Sequence, residues 1–178
     1  MEKLQYIEIG PKESWPKSAY SSEGGKDEKG VHGNWYDYLN ISRRNEALKG
    51  MKKLREQCLR KGTDVKRIVI EYTGYGDSGD EIYAFADLKN KYEYEGYPGN
   101  FCDDENCPDL KKYLGDEFEN MAFDALFQLV PGGWEINEGS QGHLIWDIVS
   151  NKVEVNHEWN VRTTEHENTE AELSFEGV

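Results

Sequence analysis

The strongest constraint on the fold is the order in which two periodicities follow each other along the chain. A helical period comes first: Ala47, Leu48, Met51, Leu54, Cys58 and Leu59 recur on one face, with Lys and Arg filling the other. Trp35, Tyr36, Tyr38, Leu39 and Ile41 form an aromatic lead-in, Ser42 is the predicted N-cap, and Gly62 is the predicted stop. A two-residue period follows. Ile68, Ile70 and Tyr72 alternate with Val69, Glu71 and Thr73, a glycine-rich turn runs from Gly74 to Asp80, and residues 82–88 return. Alternation and turn chemistry together predict a hairpin. A second helix is predicted from Asp116, with Phe118, Met121, Ala122, Ala125, Leu126 and Leu129 on one face. Asp116, Glu117 and Glu119 fall in its first turn, where the helix dipole favours acids, and Pro131-Gly132-Gly133 ends it. Residues 133–137, 142–149, 152–162 and 169–176 then read as strands, with a tight turn at Ser150-Asn151-Lys152. Weak alternation over 4–9 predicts an edge strand.

Helix, hairpin, helix and meander together predict an α+β fold: an antiparallel sheet of about five to six strands with two α-helices packed on one face. The 178 residues fit a single domain, 1–178. Segments 10–33 and 89–115 carry no period and read as loop insertions.

Charge is uneven. The chain holds 21 Lys+Arg against 35 Asp+Glu, a net of -14. Residues 42–67 run the other way, with ten basic residues against three acidic, a local excess of +7. From Gly115 onward there are 14 acids against Lys152 and Arg162, a net of -12. A surface of this kind predicts charged partners and salt-sensitive association, and it disfavours direct nucleic-acid binding. No run of 18 apolar residues occurs, so no membrane span is expected. Three cysteines and a polar N-terminus make a cytoplasmic location the expectation.

Familiar motifs are weak. Gly76-Asp77-Ser78-Gly79 has the letters of a serine-protease nucleophile loop but not the chain length or the upstream His and Asp contexts, so hairpin-turn chemistry explains it better. The stretch Trp134 to Gly142 is a polar turn between glycines. Placed beside the Asp77 turn, Glu135 and Glu138 would form an acidic pocket at one end of the sheet. A divalent metal set of Asp77, Glu135, His143 and His157 is an alternative, but no pair has a diagnostic spacing, and His157 shares its strand face with Val153, Val155 and Trp159. Cys102 and Cys107 lack two further zinc ligands and read as free thiols. No phosphate loop, dinucleotide fingerprint or nucleophile elbow is present, and no cofactor is expected.

The G-D-S-G hairpin turn, the P-G-G-W-E-I-N-E-G segment and a meander carrying His157 together resemble a family of small acidic bacterial and phage proteins of uncharacterised function. The resemblance covers roughly residues 66–175, with segments 10–33 and 89–115 as departures from a compact core. It implies no activity and no catalytic residue.

The leading expectation is a non-enzymatic interaction protein that neutralises a basic, nucleic-acid-handling protein partner such as a nuclease. Glu165, Glu167, Glu170 and Glu172 are the first candidates for acidic contacts, joined by Asp77, Asp80, Glu81, Glu135 and Glu138. Trp35, Tyr92, Tyr94, Tyr97 and Phe101 are candidate aromatic anchors. The alternatives are a metal-dependent hydrolase using the Asp/Glu/His set, and a salt-sensitive homodimer formed through the basic helix 42–62.

Overall fold

The expected hairpin forms, and it sits near one edge of a larger sheet. The computed structural model describes residues 2–16, 25–60, 62–75, 78–94, 105–130, 139–160 and 165–178. In chain order its elements are β1 (Glu2–Gln5), β2 (Gly25–Lys26), β3 (His32–Gly33), α1 (Trp35–Arg60), β4 (Arg67–Tyr75), β5 (Ser78–Asp87), α2 (Leu110–Leu114), α3 (Asp116–Leu126), β6 (Ser140–Asp147), β7 (Lys152–Trp159) and β8 (Glu165–Ser174). Six strands form one sheet in the order β1-β8-β7-β6-β4-β5, and β2 pairs with β3 separately. The sheet is antiparallel except at its edge, where β1 runs parallel to β8. The fold is therefore the expected α+β class. One addition is the short α2, inside the segment expected to be a loop.

The first helix starts seven residues before the expected N-cap. Ser42 lies inside α1 and Asn34 caps it. Asn34 Oδ1 accepts from the N–H of Tyr36 at 2.9 Å and of Asp37 at 3.1 Å, while Asp37 Oδ2 accepts from the Asn34 N–H at 2.7 Å. This reciprocal box satisfies donors that the first helical turn leaves open. The expected stop holds: Gly62 has φ +60°, and the N–H and hydroxyl of Thr63 both donate to the Cys58 carbonyl.

The alternation of β4 buries both of its faces. Ile68, Ile70 and Tyr72 face the helices; Val69, Glu71 and Thr73 face the other way, and all six are buried. On the helix side, Leu48, Met51, Leu54 and Cys58 of α1 and Phe118 and Ala122 of α3 pack on Ile68, Ile70, Leu144, Trp146, Val153, Val155, Ala171 and Leu173. The outer face carries a smaller core of Val69, Phe85, Tyr92 and Cys107, with Tyr83, Tyr94 and Ile145 against it. Residues 88–94 and 105–109 cover this part of the sheet, and the N–H groups of Ala86 and Leu88 bond the carbonyls of Pro108 and Asn106 along β5. The described part of 89–115 thus covers the outer face of β4 and β5. The described part of segment 10–33 is likewise tied down. Buried Trp15 donates to the Gly10 carbonyl at 2.8 Å, and Asp27 accepts from the N–H of Gly10, Lys29 and Val31. No helix among the described residues is long and apolar enough to cross a membrane.

Candidate functional site

The outer face of the sheet divides into a covered half and an open half. The covered half rests on Asp87, the last residue of β5. Its carboxylate accepts from Arg67 Nε at 2.8 Å and from the N–H of Lys89, Lys91 and Tyr92, each at 3.1 Å. Burial raises its pKa, but the Tyr92 N–H, the Arg67 guanidinium and the Lys91 N–H outweigh burial and hold it below the ordinary carboxylate range. This clamp turns the chain back over β4 and lays Tyr92 on the sheet. The Tyr92 hydroxyl donates to Glu71 Oε1 at 2.7 Å. Glu71 is only 1 % exposed, so this bond satisfies part of a costly buried group. Burial first, and then Glu71, pushes the Tyr92 phenol well above its usual range.

His143 continues the same row. It pairs in register with Glu71 on β4 and with Asn156 on β7. Its ring centroid lies 4.5 Å from that of Tyr94 and 5.9 Å from that of Tyr92. Asn156 Nδ2 stands 2.8 Å from His143 Nε2. Burial lowers the pKa of His143, and Glu154 and Glu158 offset this only in part.

The open half is formed by β7 and β8. Lys152, Glu154, Asn156 and Glu158 alternate with Val153, Val155 and His157, so the acids of β7 share the outer face. Glu154 pairs in register with Glu170, and Lys152 with Glu172. Glu154, Glu170 and Glu172 are exposed. A cleft of about 330 Å³ opens here, lined by Arg67, Ile145, Asp147, Lys152, Glu154 and Glu170. Arg67 is committed to Asp87, so its charge is already balanced.

The opposite face holds a different polar pair at the same level. Tyr72 and His157 are joined at 2.6 Å, and Trp159 lies edge-on to His157 with centroids 4.5 Å apart.

The structure separates several residues that the sequence suggested together. His143 and His157 fall on opposite faces, because Gly142 and not His143 pairs with His157. One ion cannot be held by both, and the other two members of that metal set, Asp77 and Glu135, lie outside the described residues. Among the described residues no group of three or more metal-ligating side chains occurs. Along β8, positions 165 and 167 pair in register with Trp159 and His157, whereas Glu170 and Glu172 pair with Glu154 and Lys152. Glu81 lies on β5, four strand spacings from β8 and so at least about 19 Å from Glu170. Asp80 pairs with Gly74 at the same edge. Trp35 begins α1, on the helix side. Among the described candidate anchors, Tyr94 lies at the border of the acidic half, over His143. Tyr92 is buried and is no anchor. Glu138, Tyr97, Phe101 and Cys102 lie outside the described residues, while Cys58 and Cys107 are free, buried thiols.

The basic helix is largely occupied at home. Lys49 pairs with Glu46, Lys53 with Glu117 and Arg60 with Glu56, and Arg55 donates to the carbonyls of Ile148 and Val149. Glu154 was not singled out from the sequence, although the alternation of β7 places it opposite its hydrophobic positions and so on the solvent side.

A model of a family of unknown function (DUF6878) matches residues 57–173. The chain belongs to this family. The part matched to DUF6878 runs from the end of α1 nearly to the end of β8, and so contains the Asp87 clamp, both histidines and the Glu154–Glu170 pair. β1 and most of α1 lie outside it. No curated protein and no solved structure is significantly similar to the chain.

Proposed function

We propose that the protein is a non-enzymatic interaction protein whose acidic outer face binds and neutralises a basic, nucleic-acid-handling protein. The observation that carries this reading is the Glu154–Glu170 pair. Two exposed carboxylates stand directly opposite each other on neighbouring strands. Like charges so placed weaken a sheet by roughly 0.2–1 kcal/mol, so folding does not call for the arrangement. Glu158 and Glu172 extend it along the strands. Neighbouring strands set carboxylates about 5 Å apart and alternate residues about 7 Å apart, a planar array of negative charge that a basic groove built for phosphates can accept. Tyr94, half-buried over His143 at the border of this array, is the candidate aromatic contact.

An immunity protein against a nuclease toxin and a phage inhibitor of a host defence are both of this physical type, since each must compete for a basic, nucleic-acid-binding surface. Capture of partners from the native host by the immobilised protein tests it. A basic partner that is released by double-stranded DNA, binds more weakly as salt rises, and is lost with Glu154→Gln plus Glu170→Gln supports the reading. An affinity that does not change between low and high salt overturns it.

A further inference from the structure

The two edges of the sheet are closed to different extents. At one edge, β5 is partly covered, since the N–H groups of Ala86 and Leu88 bond the chain at 106–108. At the other, β8 pairs with β7 from Glu165 to Glu172. On its outer side β8 pairs with β1 only at Ala171, Glu172, Leu173 and Ser174. Among the described residues nothing pairs with the outer side of 165–170. These six residues of strand span about 20 Å, and among the described residues no N–H or C=O group is paired to that side, a template for a further strand.

We propose that the outer edge of β8 at residues 165–170 takes up an extended, basic segment of the partner as a seventh strand, in line with β1. The proposal rests on the acidic-surface reading above and names how the partner docks. Backbone hydrogen bonds would supply the attachment, as in other strand additions, and charge would select the occupant. Residues 165–170 include Glu165, Glu167 and Glu170 and neither Lys nor Arg. Glu170 is exposed beside Glu154 on the outer face, so cations on that face of an incoming strand meet acid. A second copy of this chain is the poorer occupant, because pairing β8 with β8 sets the same glutamates against each other. The plainer account of the glutamates is protection: charges on a free edge keep strands from adding. The two accounts predict opposite results with a basic peptide.

The test is amide hydrogen exchange by NMR on the full chain, with an acetylated, amidated hexapeptide alternating lysine and valine. The controls are the same peptide N-methylated at alternate residues and a glutamate–valine peptide. The expected result is exchange slowed at least about tenfold at 165–170 by the basic peptide only, with affinity lowered at least about tenfold by N-methylation. Binding of the plain and N-methylated basic peptides with equal affinity and no protection at 165–170 overturns the strand addition while leaving the acidic-surface reading standing. Failure of both basic peptides to bind overturns both. Protection at 165–170 that rises with protein concentration alone assigns the edge to a second copy and overturns the proposal.

Discussion

Tyr72 reaches His157 across an intervening strand: its hydroxyl lies 2.6 Å from the histidine Nδ1, although β6 runs between β4 and β7. The span is two strand spacings, about 9–10 Å. It is possible because β6 has Gly142 at the crossing. A Cβ there would lie 2.3 Å from the Asn156 carbonyl oxygen and 2.6 Å from the Tyr72 hydroxyl. The rings of Tyr72 and His157 are nearly parallel, 24° apart.

Gly142→Ala is therefore expected to destabilise the protein by about 2 kcal/mol or more, since the added methyl meets backbone and cannot be relieved by a rotamer change. Tyr72→Phe keeps the ring and removes the bond, with an expected loss of about 1–2 kcal/mol. Urea unfolding of both variants checks this. A Gly142→Ala variant as stable as the wild type would rule out the crossing.

Asp87 links stability to acid. Its folded pKa is lowered, so the stability it contributes is present above the unfolded carboxyl value of about 3.9 and is lost as pH falls through the lower folded value. Asp87→Asn removes the charge that balances Arg67 and is expected to cost about 3 kcal/mol at neutral pH. The gap between variant and wild type should close as pH falls below 3.9. Denaturation curves at several pH values measure it, and a gap independent of pH would refute the clamp.

His143 is expected to titrate below the usual histidine value of about 6.5, because burial outweighs Glu154 and Glu158. Protons then bind the unfolded chain more readily, so its contribution to stability is full above about 6.5 and is lost as pH falls toward the folded value. Histidine side-chain NMR reads the midpoint directly. A midpoint at or above 6.5 would contradict the packing of Tyr92 and Tyr94 over the ring.

Glu154→Gln and Glu170→Gln are expected to raise stability by a few tenths of a kcal/mol each, because each relieves the like-charge pair, and to weaken binding of the basic partner. Opposite signs in the two measurements mark a surface kept for binding. Loss of stability in either variant would place the pair in the fold's own support.

The features legible in the sequence are those decided by neighbours along the chain. The alternation at 68–73 and 152–159, the acidic first turn of α3 and the left-handed Gly62 all follow from spacing within one element, and each stands as expected. The start of α1 was misplaced because the Asn34–Asp37 box precedes the charge pattern that marks the rest of the helix. Strand order, the parallel β1, the burial of Tyr92 and Glu71 and the facing of Glu154 with Glu170 came only with the tertiary structure. Each depends on residues distant in sequence, as Tyr72 and His157 are at 85 positions apart. Alternation says that a strand has two faces. Which face is covered, and by what, is settled by the strands and covers packed on it.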